Sequence, residues 1–174
     1  MESTGQSPIM VLIIMGSDSD LSVMSETAQT LKDLSIPFRI TVASAHRTPE
    51  RVKNLIKEAE DTGIDVIIAG AGAAAHLAGA VAAHTTLPVI GVPLDASPLS
   101  GLDALLSTVQ MPAGVPVAAM AIGKAGAKNA AIFATQILAI KHPSIREQLK
   151  SYKSQMAESV IKKANKMESL YAIG

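Results

Sequence analysis

The chain of 174 residues has no cysteine, no tryptophan, two tyrosines and two phenylalanines. The lack of cysteine excludes a disulfide framework, a thiolate nucleophile and a Cys-ligated zinc site, and gives no sign of an oxidising compartment. With aromatics at 2%, the core must be built from Ala, Val, Ile, Leu and Met, the small packing of helices laid closely on a sheet; a two-layer all-β fold is disfavoured. Net charge is also absent: 15 Lys and Arg balance 15 Asp and Glu. No basic field of the kind that nucleic-acid binding exploits exists, so any anion must be held by local groups. Hydrophobic residues reach 48%, yet Gly, Pro and His interrupt them and no run approaches the roughly 20 residues of a membrane helix. The length fits one soluble domain. Residues 1–8, MESTGQSP, lack the basic start and apolar core of a signal peptide. They read as a disordered leader on a cytoplasmic protein.

What is present alternates. Ile9 to Met15 is an apolar run ending at Gly16, and Leu21, Met24, Ala28, Leu31 and Leu34 then recur at helical spacing. Pro37 to Val42 reads as a second strand. Thr48-Pro49-Glu50 joins a capping residue, a first-turn proline and an early acid, predicting a helix that stops near Gly63. Val66 to Ala69 is a third strand, followed by a Gly/Ala loop and an alanine-rich helix to about His84, and Pro88 to Val92 a fourth strand. Pro93 to Gly101 reads as loop, Leu102 to Val109 as a short helix, 111–116 as loop, Val117 to Met120 as a fifth strand and Ala125 to Lys141 as a helix. Ser144 and Glu147 have capping-box spacing. They predict a last helix over 144–174 with Ile145, Leu149, Tyr152, Met156, Val160 and Met167 on one stripe, which either docks on its own domain or packs on another subunit. Repeated βα units with short connections imply an α/β fold of three αβα layers: a parallel five-stranded, flavodoxin-like sheet over 9–143, with a long C-terminal helix.

Ligands of open parallel sheets bind at the carboxyl ends of strands where strand order reverses. With the order 2-1-3-4-5, the loops after strands one, two and three share that edge. They carry Gly16-Ser-Asp-Ser-Asp20, Ser44-Ala-His-Arg-Thr-Pro49 and Gly70-Ala-Gly-Ala-Ala-Ala-His76. Small residues and helix N-termini offer N–H groups to a phosphate, Arg47 can add a bidentate contact, and Asp20 can accept from ribose hydroxyls. His46 and His76 are the groups in these loops suited to proton transfer near neutral pH. The ligand expected is a phosphorylated, sugar-bearing small molecule. Each residue also has a plainer explanation: Ser19 or Asp20 as a helix cap, His76 as a neutral imidazole in a first helical turn. His84 and His142, near helix C-termini, receive no role. Gly70-Ala-Gly72 followed by Asp95 approximates a dinucleotide fingerprint and suggests an NAD-dependent oxidoreductase, but it follows the third strand and leaves the Ser-Ala-His-Arg-Thr-Pro loop unused.

Met15-Gly-Ser-Asp-Ser-Asp20, Ser44-Ala-His-Arg-Thr-Pro49, Ala69-Gly-Ala-Gly-Ala-Ala-Ala-His-Leu77 and Val109-Gln-Met-Pro-Ala-Gly-Val-Pro116 occur in the order of the signature segments of the PurE family, which this chain resembles from about residue 9 to 141. The resemblance implies an enzyme of de novo purine (IMP) biosynthesis. It would move a carboxylate from the exocyclic nitrogen of N5-carboxyaminoimidazole ribonucleotide to a ring carbon, without metal, nucleoside triphosphate or other cofactor. Arg47 and the Gly-Ala-Gly loop resemble the class that rearranges the carboxyamino compound; the alternative on the same fold is an AIR carboxylase using free carbon dioxide. The resemblance puts His46 at the catalytic position and the leaving carboxylate near His76. It maps Ser17, Asp20 and Arg47 onto substrate binding, with Ser19, Ser44, Gly72 and Ala73 as lining. It further implies a homo-octamer joined partly by the last helix, and an ATP-dependent enzyme that supplies the substrate. Leu21, Ala73 and Ala78 depart from the family's usual tryptophan, glycine and proline, and Ala73 would obstruct a conformation with positive φ.

Overall fold

The computed structural model describes residues 10–171. The expected leader, 1–8, lies outside them. Five parallel strands, β1 (Val11–Met15), β2 (Phe38–Val42), β3 (Val66–Gly72), β4 (Val89–Leu94) and β5 (Ala118–Ala119), form one sheet in the order β2-β1-β3-β4-β5. This is the expected topology. Six helices follow the strands: α1 (Leu21–Asp33), α2 (Pro49–Asp61), α3 (Leu77–Ala82), α4 (Leu102–Val109), α5 (Gly123–Leu138) and α6 (Pro143–Tyr171).

Side-chain alternation in β1 divides the core. Val11, Ile13 and Met15 join Met24 and Leu31 of α1 and the alanines of α5, whereas Leu12 and Ile14 join Val52 and Ile56 of α2 and Leu77 and Val81 of α3. A strand buried on both faces cannot afford polar alternation, which is why its sequence is a continuous apolar run. The low aromatic content has its counterpart in α5: Ala127, Ala130, Ala131 and Ala134 are fully buried. At Gly126, on the same helix, an added Cβ would overlap the Ala121 carbonyl of the preceding loop.

Several boundaries differ from the sequence expectation. β3 continues through Gly72 instead of ending at Ala69, and pairs with β4 as far as Gly72 beside Leu94. α3 has only six residues, β5 only two, and α5 begins at Gly123 and ends at Leu138. The capping box at Ser144 does not form. Pro143, whose missing N–H and fixed φ suit a first helical position, begins α6 one residue earlier; the His142 carbonyl accepts from Ile145 and Arg146, and the Glu147 carboxylate pairs with Lys150 at 2.8 Å. The stripe on α6 divides. Ile145 is buried and Leu149 and Tyr152 pack against the core, while Met156, Val160 and Met167 are exposed.

The close approach at Gly126 has a measurable consequence. Gly126→Ala should lower stability by about 1–3 kcal/mol in urea denaturation, despite the higher helix propensity of alanine, because backbone must move. An unchanged midpoint would contradict this packing of the loop on α5.

Candidate active site

Pairing of β1 with both β2 and β3 brings three loops to one sheet edge. They form a cleft of about 310 Å³ lined by Ser17 and Asp20 after β1, Ser44, His46 and Arg47 after β2, Gly72 at the end of β3, and Ala73 and His76 after it. Eight of the nine residues singled out by sequence therefore line one cleft. Ser19 does not: it is exposed, and its hydroxyl donates to Ser17 Oγ at 3.1 Å. Ala96, from the loop after β4, lines the cleft and was missed. Its methyl carries no chemical mark in the sequence. The only trace was the glycine opposite, since a Cβ on Gly72 would stand 2.5 Å from the Ala96 Cβ.

The first loop turns on Asp20. A 3-10 turn over Asp18–Asp20 precedes α1, and the Asp20 carboxylate is directed back to accept the Ser17 N–H at 2.9 Å. It makes no side-chain cap to α1 itself; with Ser17 it closes a capping box on the 3-10 turn that leads into α1, so the capping explanation holds for the turn. Asp20 is 8% exposed. Burial raises its carboxyl pKa above the ordinary value, partly opposed by N–H donors from Ser17 and Gly16. Neighbouring Asp18, in contrast, is held below its ordinary value by the Ser17 hydroxyl and the Ser19 N–H.

The second loop is stitched at its base. Thr48 stands at the N-cap of α2 and Pro49 at its first position, as expected, but the Thr48 hydroxyl serves the loop instead of the helix. It accepts from Ser44 N at 2.9 Å and donates to Ser44 O at 3.1 Å. Ser44 Oγ in turn accepts the Arg47 N–H at 3.2 Å, and the Arg47 guanidinium donates to the Gly16 carbonyl at 3.3 Å, tying the second loop to the first. Between these ties His46 projects to the third loop, where its Nε2 lies 2.7 Å from His76 Nδ1.

The third loop adopts an unfavourable conformation at Ala73, whose φ is +51°. The methyl thus does not prevent the left-handed geometry; the chain holds it with strain. His76 then takes the N-cap position of α3, and Ala78 is buried in its first turn. Leu21 opens α1 and is half exposed, outside the cleft lining. Gly70 and Gly72 lie within β3, and α3 begins only at Leu77. A dinucleotide fingerprint requires its glycines in a turn that opens a helix, so that reading is not supported.

Chemically, the cleft combines N–H donors, one guanidinium, one carboxylate and a pair of imidazoles. That set can bind an anionic, hydroxyl-bearing ligand and move protons on it. No helix among the described residues is long and apolar enough to cross a membrane.

Two predictions follow from the strained and the buried position. Ala73→Gly should raise stability by about 0.5–1 kcal/mol, measured by denaturation, because glycine adopts positive φ without the Cβ conflict; a loss would place the strain elsewhere. For Asp20, a folded pKa above the unfolded 3.8 means that the folded state binds the proton more tightly. That contribution is full below 3.8 and is lost as pH rises through the folded value. Stability of Asp20→Asn relative to wild type should therefore improve from acidic to neutral pH; a difference independent of pH would refute the burial effect.

Comparison with known proteins gives matches along most of the chain. The family model described as AIR carboxylase matches residues 10–159. A Pyrococcus horikoshii protein named N5-carboxyaminoimidazole ribonucleotide mutase is 55% identical over 161 residues, covering 92% of this chain and 90% of its own. A Pseudomonas aeruginosa protein of the same name is 56% identical over 152 residues, covering 87% and 93%. Among solved structures, Treponema denticola PurE superposes with a TM-score of 0.84 at 31% identity, covering 91% of this chain and 98% of that one.

Proposed function

We propose that this chain, which belongs to the AIR carboxylase family, is an N5-carboxyaminoimidazole ribonucleotide mutase that converts its substrate to 4-carboxyaminoimidazole ribonucleotide. Membership rests on the match over residues 10–159. The activity rests on relatives of that name at 55% and 56% identity along nearly their whole length. The observation that supports it most directly at the site is the imidazole pair beside Arg47 and Asp20 in one cleft.

The reaction is an isomerisation, and its proton balance suits a reusable acid and base. When the exocyclic N–C bond breaks, its electron pair stays on nitrogen, which takes a proton, and carbon dioxide is released into the site. The ring carbon then attacks that carbon dioxide, forms the new C–C bond and surrenders its hydrogen. One proton goes in at nitrogen and one comes out at carbon. His46 is assigned both transfers. Arg47, Ser17 and loop N–H groups would hold the phosphate, Asp20 the ribose hydroxyls, and Ser44, Gly72 and Ala73 the walls, with Ser19 outside the cleft; His76 would stand beside the leaving carboxylate. Enclosing the two fragments converts recapture of carbon dioxide into an intramolecular event.

The same reading makes the protein a cytoplasmic homo-oligomer, an octamer in the PurE pattern, with an ATP-dependent synthetase supplying the carboxyamino compound. Exposed apolar side chains support association. Leu99, Leu102, Leu106 and Val109 form one stripe on and before α4, and Met156, Val160 and Met167 another on α6.

The decisive assay gives purified protein freshly made carboxyamino substrate with and without added bicarbonate, beside aminoimidazole ribonucleotide alone. Turnover of the carboxyamino compound at low bicarbonate is expected. Product formed only from aminoimidazole ribonucleotide with abundant bicarbonate would instead assign the free-carbon-dioxide carboxylase. In the same assay His46→Asn should lower turnover by roughly 10²–10⁴-fold; full activity would remove His46 from the mechanism.

A further inference from the structure

We propose that His46 and His76 act as one proton-holding unit, joined through a single hydrogen in the 2.7 Å contact between His46 Nε2 and His76 Nδ1. The inference rests on the mutase reading for its use, and on geometry for its existence.

Two imidazole nitrogens at 2.7 Å can share only one hydrogen: with two they collide, and with none their lone pairs repel. The rings meet edge to face, with centroids 4.8 Å apart and planes at 80°, so the contact runs through a ring nitrogen and is not a stack. Both histidines are exposed, and the residues come from different loops, 30 positions apart. Burial therefore does not hold these rings in place. Neither ring has another side-chain hydrogen bond among the described residues.

The consequence concerns the two remaining nitrogens, His46 Nδ1 and His76 Nε2. In the neutral pair one of them carries hydrogen and the other a lone pair. In the singly protonated pair both carry hydrogen, and one ring is an imidazolium that donates to the other. A second added proton would require hydrogen on both facing nitrogens, which the contact excludes. The unit thus stores one transferable proton. Mutase turnover uses that number: the protonated pair gives one to the exocyclic nitrogen as the N–C bond breaks, becomes neutral, and regains one from the ring carbon after the C–C bond forms. With Nε2 committed to His76, His46 exchanges its proton through Nδ1. His76 is then a positioning residue that sets the tautomer and orientation of His46.

Magic-angle-spinning NMR of the chain labelled with [15N]histidine tests this directly, since only four histidines contribute. In wild type, His46 Nε2 and His76 Nδ1 should show correlation through the shared hydrogen. In His76→Leu that correlation should vanish and the His46 ring resonances should move to those of a free imidazole. His76→Asn, whose amide reaches the Nδ1 position, should keep the wild-type His46 resonances. Turnover of the carboxyamino substrate should fall at least roughly tenfold in His76→Leu and recover most of its value in His76→Asn. Identical His46 resonances in wild type and a folded His76→Leu would overturn the pair, while wild-type turnover would leave the mutase reading standing. A shared hydrogen in a wild-type protein inactive on the carboxyamino compound would overturn the mutase reading and the pair's use in it.

Discussion

The pairing of β1 with β3 on one side and β2 on the other is the constraint on which the site depends. Chain order makes β2 follow β1, but sheet order reverses there, so the crossover to β3 passes to the opposite edge. Helices α1 and α5 consequently cover one face and α2 and α3 the other. At the switch no helix roofs the strand ends, and loops far apart in sequence lie side by side. Each contributes what the others lack: a carboxylate from the first, a guanidinium and an imidazole from the second, a second imidazole and close-packed backbone from the third.

Packing limits at this edge explain why the lining is mostly small. Gly72 and Ala96 are nearly in contact where β3 and β4 end, and Ala71, Ala73 and Ala74 complete that wall. Larger side chains would fill the space that a ligand needs. The polar groups are then oriented by bonds among themselves instead of by bulk. Thr48 closes the second loop on Ser44, and Arg47 reaches across to Gly16, so the His46 backbone is fixed without being buried. Preorganisation of this kind costs stability at two identifiable places, the buried Asp20 carboxylate and the positive φ of Ala73.

Much of this was legible in the sequence because it depends on local signals. The buried run in β1, the Thr48-Pro49-Glu50 start of α2 and the βα alternation point to a parallel sheet covered on both faces, and the preferred flavodoxin-like order 2-1-3-4-5, which the structure has, brings Ser17, Asp20, His46, Arg47 and His76 together. What was not legible depends on contacts between distant segments. Gly70 and Gly72 look like a turn; they continue the strand because β4 offers hydrogen-bond partners as far as Leu94. Thr48 looks like a helix cap, yet its side chain bonds backwards into its loop, and Asp20 caps the 3-10 turn instead of α1. Ser144 and Glu147 have capping spacing, but the neighbouring proline takes the first helical position. The contact between His46 and His76 spans 30 residues and no periodicity encodes it. The family resemblance supplied what spacing alone left open, the identity of the ligand and the choice of His46 for catalysis.

Retention of carbon dioxide imposes a further requirement that the single chain meets only in part. Decarboxylation followed by recapture is efficient only if the small neutral fragment stays beside the ring carbon, and preorganised donors act most strongly where water is excluded. In the isolated chain His46, Arg47 and His76 are all exposed, although the residues beneath them are buried. The same chain leaves two apolar stripes uncovered, at α4 and along the outer turns of α6. Association of subunits as proposed would bury those stripes.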